Sequence, residues 1–373
     1  MLSNNLQSGI NILLAGTDEA YAEHTVSLFG HNNDSVTIKR DFWGLYDVGV
    51  SKAFIQKDSL VKAFSIANKP DSANWNALYL TDQDSPLSVS GGTAIIGDAS
   101  LPAAGVQIAF TDKPYTGDKK PVSGHIRHSE KTLPALNAER LQQLEQMFTA
   151  VHNGPNQVKE DSTFNSFNNA TVYINLGKVP ATLKNKYLTG NVIIRSDTTV
   201  TIDSAVRLDN IMIFAKSILV ADGFKGNCQL FAMDSVKIGK RCVFSYPSGI
   251  GVLNKKANRG IEPEIILDKN TIFSGIIFTS NKNKGLEDPK IVIEDGVKIN
   301  GQIYSQSEVM FKGKAEITGS LYTIEVANFN SFRYSRNYLI DVKINGPALS
   351  PYYLASTFLP VAGKQKKILK WLQ

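Results

Sequence analysis

Residues Ile291–Tyr322 read IVIEDGVKINGQIYSQSEVMFKGKAEITGSLY, and this stretch decides the fold. Ile291 and Ile293 recur 18 residues later as Val309 and Phe311. Twelve residues after each first member comes a second apolar position, Ile303 and then Leu321. Just before it stands a turn pair, Asn300-Gly301 and then Thr318-Gly319. Asn and Gly tolerate positive φ, and short polar side chains bond back to the local backbone. Working upstream, the same pair is Ile265/Leu267, Val236/Ile238, Ile218/Val220 and Val200/Ile202. Successive steps from Val200 are 18, 18, 29, 26 and 18, so two rungs carry insertions of 11 and 8 residues. The second column is Met212, Leu230, Ile277, Ile303 and Leu321; only the rung that starts at Val236 lacks it. Further turn pairs stand at Asp209-Asn210, Asn227-Cys228 and Ser274-Gly275. β-Branched pairs, repeated turn chemistry and a fixed period point to a mainly β protein built around a right-handed β-solenoid, whose coils bury their apolar faces against one another.

Around this array the sequence predicts a small α+β N-terminal region. Residues 1–16 form a helix closed by Gly16, with Leu2, Leu6, Ile10, Leu13 and Leu14 on one face. If this helix is a stem whose lower half packs on the globular part and whose upper half leaves it, Ile10, Leu13 and Leu14 are buried more deeply than Leu2 and Leu6. Residues 17–34 read as loop or short helix. Val36–Phe54 alternates as a hairpin, with strands at Leu60–Ile66 and Ala77–Leu80. From Leu87 the texture LSVSGGTAIIGDASLP, and again PVSGHIRHS at Pro121–Ser129, suggests solenoid coils. Leu133–Val151 interrupts them as a helix. Thr171–Leu176 and Val192–Ile194 lead into the regular array, which ends near Glu325. Gly363–Trp371 reads as a basic amphipathic helix that caps the open end. The organisation is then 1–85, helix plus small β-rich region; 86–165, irregular coils with the helical excursion at 133–151; 166–330, regular solenoid; and 331–373, C-terminal cap and basic tail.

A hydrophobic fraction of 42 % excludes wholesale disorder. The formal charge of +6 owes much to Lys364, Lys366, Lys367 and Lys370, a solvated tail or a patch for an acidic surface. No basic motif interleaved with aromatics argues for nucleic acid. Cys228 and Cys242 make neither a disulfide framework nor a metal knuckle, and free, half-buried thiols are expected. The start has no cationic segment, long apolar core or cleavage site, so it is not a signal peptide, and no stretch reaches 18 apolar residues.

Catalytic constellations are sparse. His24, His31, His125, His128 and His152 all precede the regular array. His125 and His128 form an HxxH pair, but on a strand they point to opposite sides and no third ligand joins them. No P-loop and no nucleophile elbow is present. A polysaccharide lyase or hydrolase on a solenoid needs carboxylates stacked on one face. Three residues after the first members come Asp203, Ala221, Gly239, Asp268, Glu294 and Lys312, so Asp268 and Glu294 are the carboxylate pair that an enzyme or a Ca²⁺ site would use. The ordinary reading is a pair of solvated turn residues. The column one residue after the first members, Thr201, Leu219, Lys237, Ile266, Val292 and Met310, is half apolar and suits cover by a loop or partner. The insertions at Tyr246–Pro263 and Thr279–Pro289 are expected to leave adjacent coils on one flank, where Lys255, Lys256, Arg259, Lys282 and Lys284 against the acids Glu262, Glu287 and Asp288 make either ordinary solvated loops or a mildly basic binding flank. No cofactor or metal is expected.

The coils of residues 290–322 resemble those of bactofilins, polymer-forming bacterial β-helix proteins with paired apolar strands, x-Gly turns and no catalytic residues. That resemblance covers about a third of the chain, and the long insertions and large N-terminal region depart from it. The start, NNLQSGINILLAG, is similar to the lower half of the long N-terminal helix of pilin-like minor subunits, over about 15 residues. It implies an upstream membrane anchor and an extracytoplasmic globular part. The leading expectation is a non-enzymatic structural or adhesive protein of the bacterial envelope, associated with a pilus or other appendage. Its partners would be other envelope or appendage proteins, or polysaccharide. The alternatives are a carbohydrate-active β-helix enzyme and a self-polymerising bactofilin-like scaffold, the latter cytoplasmic.

Overall fold

A computed structural model describes residues 1–16, 23–27, 34–150, 158, 160–254, 262–281, 288–330 and 333–372. The chain is mainly β, with two helices among the described residues, α1 (Leu2–Ala15) and α2 (Ala138–Met147). One sheet of 21 strands is almost wholly parallel and follows the 18-residue beat. Val200 pairs with Ile218, Ile218 with Val236, Val236 with Ile265, Ile265 with Ile291 and Ile291 with Val309. All six side chains are fully buried in one continuous cluster. Because side chains alternate across a strand, burying these positions also buries the second members two residues on.

The second column needs one correction. Leu230 pairs with Ile213, not with Met212, because a bulge at Asn210 (φ 58) shifts the register by one residue. Ile213 enters the inner core, and Met212 turns to the outer face. The rung at Val236 does own a member of this column: Ile250 pairs with Leu230 and Ile277. Extra residues between Phe244 and Ser248 displace it from the expected spacing. The x-Gly turns form a ladder of their own, with Ser248, Gly275, Gly301 and Gly319 in successive register.

The order of stacking is not the order of the chain. The early strand Leu78–Leu80 pairs with Leu321–Thr323, at the far end of the regular array. Val342–Asn345 pairs with Ala315–Thr318 and carries Ala94–Ile96 on its other side. Val122–Ser123 and Ile126–His128 follow as the outermost strands there. The early strands therefore extend the parallel sheet beyond its C-terminal pairs.

A second, antiparallel sheet comprises β1 (His24–Ser27), β2 (Asp34–Trp43), β3 (Tyr46–Ile55), β4 (Asp58–Pro70) and the C-terminal strand Ala362–Leu372, in that order. Residues 24–27, expected in a loop, are thus a strand on β2. Residues 363–371, expected as a capping helix, lie instead along β4. The open edge of β4 supplies backbone partners that an isolated helix would have to find within itself.

Helix α1 covers one face of this sheet. Leu6, Ile10 and Leu13 are buried against Val36, Ile38, Ala53, Phe64 and Ile66. Leu2 and Leu14 are only half-buried, so the expected burial gradient along α1 is absent. Gly9 explains the close approach: a Cβ there would lie 2.4 Å from Ser51 Oγ. The opposite face of the sheet, through Trp43, Tyr46, Val48 and Ala63, packs on outward-facing Met212, Phe214, Phe231, Phe278 and Tyr304 of the parallel stack. Gln229 fixes this docking by accepting from Leu45 N (2.8 Å) and donating to the Trp43 carbonyl (3.1 Å). α2 is tied in by Arg140, which donates to the Gly44 and Tyr46 carbonyls and to Asp47 Oδ1 (2.6 Å). No helix among the described residues is long and apolar enough to cross a membrane.

Candidate functional site

Asp268 and Glu294 follow paired strands in adjacent rungs, with Glu294 N donating to the Leu267 carbonyl (3.0 Å). Their carboxylates are used locally. Asp268 Oδ1 accepts from Lys269 N (2.7 Å), closing its own turn. Glu294 pairs with Lys312 Nζ (3.1 Å), the next member of the same column. Among the described residues no group of three or more His, Cys, Asp or Glu converges as a metal site. His125 is exposed, with Nδ1 3.2 Å from Asp98 Oδ1, and His128 is exposed on the outermost strand. Cys228 and Cys242 are free and buried, and burial pushes both thiols up.

Lys255, Lys256, Arg259, Lys282 and Lys284 lie outside the described residues. The strand ends that flank them are placed: Asn254 pairs with Asn281, and Glu264 with Lys290. Both insertions therefore leave and re-enter the stack at the same corner of adjacent rungs. The half-apolar column beside the core runs from exposed Leu219 to buried Val292.

Close to that corner lies an open cleft of about 510 Å³, lined by Gln83, Lys290, Gln306, Glu308, Glu325 and Arg336 among others. Glu308 and Glu325 are register partners in adjacent rungs. Each stands one residue before a fully buried core valine, Val309 or Val326, so strand alternation turns both carboxylates outward. Arg336 clamps Glu325 with two bonds, Nε to Oε1 at 2.6 Å and Nη2 to Oε2 at 2.8 Å. The Tyr334 hydroxyl donates to Glu308 and stands 3.4 Å from Glu325 Oε1. Burial pushes the Glu308 carboxyl above the usual carboxylate range; the Tyr334 bond opposes this, and the neighbouring Glu325 adds to it. At the rim, Lys290 pairs with Glu262, and Asn281 donates to Asp288 (2.6 Å).

Neither the column one residue after the first members nor the column three residues after them contains the carboxylates of this cleft. The column one residue before reads Ser217, Ser235, Glu264, Lys290, Glu308 and Glu325, and its run of charges was the available signal. Arg336 arrives on an antiparallel return strand opposite Ala327, and Gln83 comes from the early coils, so no repeat announces either.

The chain matches no protein-family model, no curated protein and no solved structure.

Proposed function

We propose that this chain is a structural or adhesive protein of the bacterial cell envelope, associated with an appendage, in which a right-handed β-solenoid presents a flank for binding. Its partners would be other envelope or appendage proteins, or polysaccharide, and its role would be non-enzymatic. The solenoid reading is supported by the unbroken parallel pairing of the core column from Val200 to Val309 and by the shared core, and right-handedness by the strong chiral preference of parallel crossovers. The observation that carries the functional reading is the placement of α1. It lies along one face of an antiparallel sheet whose other face is docked on the parallel stack. A helix laid against the globular part is the arrangement that the lower half of a pilin-like stem would take, with an anchor upstream of it. Shearing cells of the source organism and pelleting the released appendages should bring the chain down with them. A chain that stays wholly with the cell bodies contradicts the appendage assignment.

One observation favours a second reading, the self-polymerising scaffold. Among the described residues the outermost strands, Val122–Ser123 and Ile126–His128, have register partners only in Ile95–Ile96 and Ala99–Leu101, and Ile126 is half exposed. An unpaired strand edge can template another copy. Long filaments of purified chain in negative-stain micrographs would favour that reading over the first.

A further inference from the structure

We draw no further inference here: the strongest candidate, the cavity of about 420 Å³ between the end of α1, the start of α2 and the C-terminal strand, lined by Arg40, Glu139, Arg140, Lys364 and Lys366 among others, carries nothing, because Arg40 and Arg140 already hold Asp47, Lys366 holds the Gly16 carbonyl, and the acids that follow Gly16 in sequence, Asp18 and Glu19, lie outside the described residues.

Discussion

Leu321 and Leu78, from opposite ends of the chain, are parallel register partners and both fully buried. Through this contact the early coils cover the last rungs of the regular array, burying apolar surface that a stack ending at Leu321 would leave open to water. Leu78→Ala leaves a cavity at that junction and should cost about 2–5 kcal/mol in urea unfolding. A cost under about 1 kcal/mol would mean that the early coils do not seal the stack.

The core column makes a sharper demand. Ile218 lies between Val200 and Val236 with no exposed surface. Ile218→Asp buries a charge with no partner and should cost several kcal/mol, enough to show as loss of soluble, folded protein. Leu219→Asp, one residue on and 37 % exposed, should be tolerated. Equal tolerance of both would refute the register.

Gly301 has φ +149, and a Cβ there would lie 1.9 Å from the Gly275 carbonyl oxygen. No rotamer relieves a clash between backbone atoms, so Gly301→Ala should cost about 3 kcal/mol or more. Gly105 also has positive φ, at +76, but nothing lies within 4 Å of its Cβ site. Gly105→Ala should cost only about 1 kcal/mol, the backbone strain alone. Matched chemical-denaturation curves for the two variants check the difference.

How much of this was legible follows from which forces leave a local pattern. The first column is readable because burial between successive parallel strands demands an apolar residue at each step. Met212 was misplaced because Asn210 adds a residue to the turn, and a one-residue slip is invisible when Met212 and Ile213 are both apolar. The C-terminal strand was misread because register shifts between Ala362 and Lys366, and between Ile368 and Lys370, break its alternation. The Glu308–Glu325 cleft depends on Arg336, whose side chain meets Glu325 only once the chain reverses after the last regular rung.

Acid should loosen the join between α2 and the antiparallel sheet. Burial by itself raises the Asp47 carboxyl, but the Arg140 and Arg40 guanidinium groups outweigh it and hold the group below its ordinary value. A depressed folded-state pKa contributes stability above the unfolded value near 4, and that contribution is lost as pH falls through the folded value. Asp47→Asn should flatten this acid limb. At pH 7 it should cost about 3–5 kcal/mol, because the buried Arg140 guanidinium loses its counter-charge. An unchanged slope of stability against pH below 4 would remove Asp47 from the account.

Surface exposure on living cells tests the envelope assignment most directly. Antibodies raised against the purified chain should label unpermeabilised cells of the source organism, and brief protease treatment of intact cells should abolish the label. Labelling that appears only after permeabilisation, with the chain intact after protease treatment, would contradict the assignment.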